Sequence, residues 1–306
     1  MTVHFDVDDN LDKLFSGNKT SLSVREGNLA KIKNKEKISA ISLKSQSKIT
    51  KEVLEHFPKL KLIATRTVGY DHIDLSECKK RGVAVYNVPS YGSMHVAQHG
   101  VALMLSGARN IIRANKETHL GKFSYKNLLG ISLVGKTLGV VGTGKIGLEF
   151  IKIARSLGMK IVAYDIFKNE KAAEELDYKY VTLDDLLKQS DVITLHIPST
   201  PKTKHLLDAK RLKSVRQGAI LVNTARGDLI DEKALVANIK KFHAVCLDVL
   251  QNEDKFSRTH PLLKFENVII TPHVAFYTDE SIKEIARETL LNIERFRKGD
   301  KTNRVV

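Results

Sequence analysis

Along this chain, short runs of aliphatic and β-branched residues alternate with stretches in which apolar positions recur every three to four residues. Parallel strands joined by crossover helices produce that alternation, because a strand covered on both faces is apolar throughout, whereas a helix buries one stripe. A first series of strands is predicted at Val3 to Val7, Ile38 to Leu43, Lys61 to Thr67 and Val83 to Val88, with helices at Lys51 to Phe57 and Ile73 to Arg81. A helical stretch from Met94 to Ile112 follows, and a polar segment through Gly121 and Gly130 leads into a second series. Its six strands are read at Thr137 to Val141, Lys160 to Tyr164, Asp191 to Ile197, Ala219 to Thr224, His243 to Val249 and Asn267 to Ile270, enough for a doubly wound sheet. The chain closes on Asp279 to Lys298, where Ile282, Ile285, Ala286, Leu290, Ile293 and Phe296 fall at helical spacing, and this helix is expected to return to the first unit.

Composition narrows the class. At 306 residues and 42% apolar, the chain has ample material for buried cores. The N-terminal MTVHFDVDDN is acidic where an export signal would be basic and then apolar, and no apolar run approaches about 18 residues. Membrane association is not expected, and the cytoplasm is the expected compartment. Cys78 and Cys246 offer neither a disulfide framework nor a metal-ligand spacing, which fits a reducing compartment and no metal. The net charge of +15 comes from lysines scattered among acidic residues (Lys31, Lys33, Lys35, Lys37, Lys79, Lys80, Lys202, Lys204, Lys240, Lys241). Without a basic tract, it argues for solvated faces and a mild attraction for anionic substrates rather than for nucleic acid.

Candidate chemistry begins at Gly142, Gly144 and Gly147, which follow the strand Leu138 to Val141 and open a helix running to Leu157. In that setting the first glycine permits a tight turn, the second lets backbone approach a pyrophosphate and the third allows close helix-to-strand packing, with Lys145 and Ile146 bordering the dinucleotide. Asp165 ends the next strand, about 20 residues on, where a ribose 2′-hydroxyl needs an acceptor, so NAD is expected over NADP. Three later strand ends carry Arg226 in VNTARGDLID, Asp248 and Glu253 in CLDVLQNED, and His273 in NVIITPHVAFYT. Singly, each reads equally well as a turn, loop or cap residue.

Together these segments resemble the D-isomer-specific 2-hydroxyacid dehydrogenases. The resemblance extends through RTVGYDHID, VPSYGSMHVAQH, GTGKIG, LHIPSTPKTKHLL, NTARGDLID and TPHVAFYTDES, and its D-lactate branch is similar around Tyr91 and the aromatic HVAFYT. It implies an α/β protein of two Rossmann-like or flavodoxin-like domains with doubly wound parallel sheets. The NAD-binding domain, 94–278, would be inserted into a discontinuous substrate domain, 1–93 with 279–306. It further implies that Arg226 holds the carboxylate and carbonyl of a small 2-keto acid, that His273 exchanges the proton and that Glu253 orients the histidine. Arginine's planar fork and the near-neutral titration of histidine suit those tasks. Cofactor contacts implied in the same way are Ile197, Pro198, Thr203, Thr224, Ala225 and Asp248; Val68, Gly69 and Tyr91 are the implied substrate contacts of the small unit. The sequence departs from the family pattern in placing Asp254, not proline, after Glu253, and in separating Glu253 from His273 by only 19 residues, so Asp254 is a competing partner for the histidine. Larger or phosphorylated acids such as hydroxyisocaproate or phosphoglycerate, with Arg66, Lys44 or His72 as extra cations, and an NAD-sensing corepressor role are the alternatives. A homodimer is expected, with the segment from Met94 to Ile112 contributing because it is apolar on more than one face.

Overall fold

A computed structural model describes residues 1–5, 15, 21–24, 29, 32, 34–45, 47–89 and 91–306. Residues 6 and 7 of the first expected strand, Lys31, Lys33 and Ser90 of the VPSYGSMHVAQH segment lie outside the described residues. The chain divides into two compact units, 1–92 with 277–306, and 93–276.

The first unit contains β1 (Thr2–Phe5), β2 (Ser21–Val24), β3 (Ala40–Leu43), α1 (Lys51–Glu55), β4 (Leu62–Thr65), α2 (Leu75–Lys80) and β5 (Ala84–Tyr86). Its strands form one parallel sheet in the order β2-β1-β3-β4-β5. Alternate residues of a strand point to opposite faces, and the sheet obeys this rule. Ile63 and Val85 pack with Leu54, Phe57 and Cys78 on one side, while Leu62, Ala64, Ala84 and Tyr86 meet Ile293 and Phe296 of the closing helix Asp279–Lys298 on the other. That helix has the boundaries expected from its spacing. Strand β2 was not expected, because SLSV alternates polar with apolar and, at the edge of the sheet, pairs with a single neighbour.

The second unit runs through α3 (Ser93–Ala108), α4 (Ile111–His119), β6 (Thr137–Val141), α5 (Lys145–Ser156), β7 (Lys160–Tyr164), α6 (Glu170–Glu175), β8 (Lys179–Tyr180), α7 (Leu183–Gln189), β9 (Val192–Leu195), α8 (Ala209–Ser214), β10 (Ile220–Asn223), α9 (Glu232–Asn238), β11 (Ala244–Leu247) and β12 (Val268–Ile270). All its strand pairs are parallel, in the order β12-β11-β10-β9-β6-β7-β8, so the sheet has seven strands where six were expected. The extra member, β8, is two residues long and too short to show a period.

The expected helix from Met94 to Ile112 is two helices. It breaks at Asn110, whose φ of 53° is left-handed, and whose side chain donates to the Leu129 carbonyl. Helix α3 lies in the core of this unit, with Ala97, Val101, Met104 and Ala108 buried. A Cβ on Gly100 would come within 2.9 Å of the Phe150 ring, and one on Gly107 within 2.8 Å of Ala244 and Cys246. Met94 and Ala102 on the same helix remain exposed. Among the described residues no helix is long and apolar enough to cross a membrane, and no cluster of metal-ligating side chains is present.

Both cysteines are free and buried, and burial pushes the Cys78 thiol up to about 11 and the Cys246 thiol up to about 12. Because the thiolate is the reactive form, iodoacetamide at pH 8 is expected to leave both unlabelled in the folded protein and to modify both in urea. Labelling of the native protein, read by mass spectrometry, would contradict this.

Candidate active site

Parallel pairing brings the ends of β10, β11 and β12 to one level: Asn223 lies opposite Leu247, and Leu247 opposite Ile270. The three loops that leave those ends carry Arg226, Asp248 with Glu253, and His273. They start beside one another because the strands are in register, which is the usual position of a ligand site in an open α/β sheet.

The loop after β12 is folded around a carboxylate. Asp248 is 1% exposed, and its side chain accepts from the Val274 N–H at 3.0 Å, the Ala275 N–H at 2.9 Å and the Thr271 hydroxyl at 2.5 Å, with His99 Nε2 at 3.4 Å. Burial alone would raise this carboxyl, but hydrogen bonds from His99, Thr271, Ala275 and Val274 outweigh it and hold the group below its ordinary range. The Asp248 carbonyl takes the His273 N–H at 2.8 Å. His273 itself has a left-handed φ of 55°, a conformation that costs a residue with a Cβ about 1 kcal/mol or more and is held here by these bonds.

His273 Nδ1 lies 2.9 Å from Glu253 Oε2, and Glu253 Oε1 accepts from the Leu250 N–H at 3.2 Å. Glu253, and not the exposed Asp254, is thus the carboxylate against the imidazole. With Nδ1–H donated to Glu253, Nε2 is the nitrogen left to exchange a proton. The Phe276 ring stands edge-on to the imidazole at 6.4 Å.

Arg226 is presented by a turn that buried Asn223 shapes. The Asn223 side chain accepts the Ala225 N–H at 3.0 Å and donates to the Arg226 carbonyl at 2.9 Å, and Arg226 Nη1 donates to the Ala225 carbonyl at 2.7 Å. The next residue must be glycine: a Cβ on Gly227 would stand 2.0 Å from the Leu250 carbonyl carbon and oxygen. Backbone therefore packs on backbone between the Arg226 turn and the Glu253 loop.

At the other end of the sheet's working edge, Gly142 adopts a φ of 100°, and a Cβ there would lie 2.6 Å from the His196 carbonyl. Gly147 meets the Gly142 carbonyl so closely that a Cβ would sit 2.1 Å from it, whereas a Cβ on Gly144 would have open space around it. Helices α1, α2, α6, α7, α8, α9 and the closing helix begin with a Thr, Asp or Asn side chain accepting a first-turn N–H. Helix α5 begins with Gly144 and has no side-chain cap, so its first-turn N–H groups are left for an anion. Lys145 is exposed and Ile146 half-buried beside it.

Asp165 does more than wait for a ribose. Its Oδ2 accepts from the Thr143 N–H at 2.7 Å and the Thr143 hydroxyl at 3.2 Å, and its Oδ1 from the Phe167 N–H at 3.0 Å. Of the roughly four acceptor sites of a carboxylate, three are occupied and one remains. Thr143 is braced from behind by Tyr180 Oη at 2.7 Å, which also takes the Asn169 N–H and touches Tyr178 Oη.

A dinucleotide fits these residues on further grounds: the Thr224 hydroxyl is buried and has no hydrogen-bond partner among the described residues, as expected of a group kept for a ligand. Ala225 is half-buried next to it. Ile197 and Pro198 follow β9, and the Thr203 hydroxyl holds their turn by donating to the Pro198 carbonyl at 2.7 Å. Asp248, implied as a cofactor contact, is buried and occupied with the His273 loop. In the first unit, the Val68 carbonyl is tied by the Asn87 side chain at 2.8 Å and the Gly69 carbonyl by the Thr67 hydroxyl, while Val68 is 40% exposed and Tyr91 half-buried.

Asn223, Gly227, Thr143, Tyr180, His99 and Thr271 escaped the sequence reading as functional residues. Only Asn223 and Gly227 carried a signal, a polar residue closing an apolar strand and a glycine after a candidate arginine.

Comparison with known proteins agrees with this geometry. The family model for the NAD-binding domain of D-isomer specific 2-hydroxyacid dehydrogenases matches residues 101–275. The D-3-phosphoglycerate dehydrogenase of Archaeoglobus fulgidus is 40% identical over 264 residues, covering 85% of this chain and 50% of that protein; the chain spans about half the length of that relative. The hydroxypyruvate reductase of Thermotoga maritima is 38% identical over 298 residues, covering 94% of this chain and 96% of the relative. Among solved structures, the Aquifex aeolicus D-lactate dehydrogenase complexed with NAD and lactic acid superposes with a TM-score of 0.92 at 34% identity, covering 100% of this chain and 99% of the other. The apo D-lactate dehydrogenase of Escherichia coli gives a TM-score of 0.89 at 32% identity, with 100% of each covered. A doubly wound sheet with an uncapped glycine turn and an acidic residue ending the next strand places the second unit among NAD-binding dehydrogenase domains. The chain belongs to the D-isomer-specific 2-hydroxyacid dehydrogenase family.

The double duty of Asp165 makes its substitutions separable. Asp165→Asn, which keeps an acceptor for Thr143 and removes the charge that repels a 2′-phosphate, is expected to narrow the ratio of NADPH to NADH Michaelis constants. Asp165→Ala frees the glycine turn and is expected to weaken both cofactors. Steady-state kinetics with each nucleotide checks this, and an unchanged ratio in Asp165→Asn would contradict it.

Proposed function

We propose that this protein catalyses the NAD-dependent reduction of a small 2-keto acid, pyruvate being the reference substrate, to the D-2-hydroxy acid, and the reverse oxidation. The observation that carries the reading is the His273–Glu253 hydrogen bond of 2.9 Å on loops in register with the Arg226 turn. When bound, NADH supplies the hydride that reaches the carbonyl carbon, and NAD takes it back in the reverse direction. Arg226 binds the keto-acid carboxylate with its planar fork and polarises the carbonyl. His273 donates the Nε2 proton to the carbonyl oxygen as the C–H bond forms, and in oxidation its neutral Nε2 receives the hydroxyl proton. Glu253 accepts the hydrogen bond of Nδ1, which fixes the tautomer and holds the ring in place. The second unit serves as the NAD-binding domain; the first, with the Val68–Gly69 backbone and Tyr91, serves as the substrate domain. Two free, buried cysteines accord with a reducing cytoplasmic setting.

A small, unphosphorylated acid is favoured by what the candidate cations do. Arg66 is 1% exposed and donates to Ser42 Oγ at 2.8 Å and to the Phe5 carbonyl. Lys44 stands over the Tyr277 ring at 6.0 Å, and His72 Nε2 lies 3.1 Å from Thr65 Oγ1. Each is engaged with its own unit, while the Phe276 ring gives the imidazole an apolar neighbour. An NAD-dependent binding protein would need neither the Glu253–His273 pair nor Arg226.

The homodimer is proposed on a surface that takes in the end of the segment first expected and extends beyond it. Met94 at the start of α3 and Ile111 and Ile112 after its end are exposed, and the chain that follows exposes Leu120, Phe123, Tyr125, Leu129 and Val134, with Phe123, Tyr125 and Leu129 each at least 90% exposed. So many exposed large apolar side chains within one stretch of a polar chain call for a covering surface, and an isologous contact with a second copy supplies it.

A keto-acid screen with NADH tests the activity, and variants test the roles. His273→Gln is expected to depress reduction at every pH by roughly 10² to 10⁴-fold, the usual loss for a general acid, and Arg226→Lys to impair both binding and turnover because an ammonium lacks the fork. Glu253→Gln should lower kcat for reduction by loosening the hold on the imidazole, with the KM for NADH unchanged; a loss with Asp254→Asn instead would reassign the partner. For assembly, the double variant Phe123→Lys with Leu129→Asp is expected to be monomeric by light scattering, and a dimer that survives it would reject this interface.

A further inference from the structure

Gln251 lies between Asp248 and Glu253 but belongs to none of the contacts described so far. We propose that it is a positioning residue that clasps the Arg226 turn to the Glu253 loop, keeping the substrate-binding arginine and the proton-donating histidine in register. The inference rests on the dehydrogenase reading above and deepens it.

The clasp joins four segments. The Gln251 N–H donates to Glu232 Oε1 at 2.6 Å, and the Glu232 N–H returns a bond to Gln251 Oε1 at 3.3 Å, which fixes the loop to the start of α9. Gln251 Nε2 donates to Asp228 Oδ1 at 3.1 Å, two residues beyond Arg226, and lies 2.7 Å from His205 Nε2. The amide orientation is over-determined: its oxygen is claimed by an N–H, and Asp228 can only accept, so both Nε2 hydrogens are spent on Asp228 and His205. His205 Nε2 must then be a lone pair, with the ring proton on Nδ1, and its backbone N–H donates to the Asp228 carbonyl at 2.7 Å. The ionisable groups around the clasp are Asp228, Glu232, His205 and His260, whose Nε2 is 3.4 Å from Glu232 Oε2.

Position is transmitted through backbone. Directly before Gln251, Leu250 meets Gly227 with no room for a Cβ, and the Leu250 N–H holds Glu253 Oε1 at 3.2 Å. Glu253 then orients His273 through Nδ1 at 2.9 Å. Between them Asn252 takes a left-handed φ of 53°, and Asp254 follows Glu253 where a proline would stiffen the loop, so the restraint on this segment comes from the Gln251 side.

Gln251→Met keeps length and volume and removes every side-chain hydrogen bond; Asp228→Asn is the milder variant, removing one charge. Both are made in the full-length protein. Expected for Gln251→Met are a fall in kcat of about 10-fold, less than the ~10²-fold that a 1 Å misplacement costs, and an unchanged KM for NADH. Asp228→Asn is expected to move the same quantities in the same direction by less. The low-field NMR signal of the His273 Nδ1 proton should weaken in both. Added to Glu253→Gln, Gln251→Met should lower kcat no further, because both act through one bond. An additive loss of kcat, or lost thermal stability with kcat and the Nδ1 signal unmoved, would overturn the proposal. If the unmodified protein turned over no keto acid, the dehydrogenase reading would fall, while the Nδ1 signal would still report whether Gln251 holds Glu253.

Discussion

The loop that carries His273 at the working edge of the second unit is organised around one buried carboxylate. An ionised group sealed from water costs several kcal/mol unless its lone pairs are filled, and Asp248 fills them with Thr271, Val274, Ala275 and His99. Satisfying that ion folds the loop after β12, and its own carbonyl pins the His273 N–H, so the imidazole is delivered at a backbone angle it would not choose alone. The ion thus supplies the local free energy that keeps a strained residue in place.

A second constraint is contact between backbones. Gly227 against Leu250 and Gly147 against Gly142 are approaches that a single methyl group would forbid. The first couples the arginine turn to the glutamate loop, and the second seats α5 on the dinucleotide turn. Between them, the sheet edge becomes a row of loops whose relative heights are set by parallel register and by the absence of side chains at these points.

The cofactor turn shows the same economy. Asp165 and Thr143 close a small network with Tyr180, so the carboxylate that ends β7 also shapes the glycine turn that opens α5. A substitution that preserves the acceptor for Thr143 therefore differs in kind from one that deletes it.

The sequence by itself determined the α/β class, most strand positions, the closing helix from Asp279 to Lys298, the glycine turn and the identity of Arg226, Glu253 and His273 as candidates, because apolar periodicity and glycine spacing are local properties of a chain. It passed over β2 and β8, an edge strand with a half-polar pattern and a strand of two residues, since neither carries a period long enough to read. Likewise it ran α3 into α4, because an asparagine in the left-handed region leaves the apolar spacing on either side intact. Only the tertiary structure decided that Glu253 and not Asp254 meets His273, that Asp248 serves the histidine loop and that Arg66 is locked inside its own unit. Those outcomes depend on which loops parallel register sets side by side and how closely their backbones approach, and neither distance is written in the order of residues along the chain.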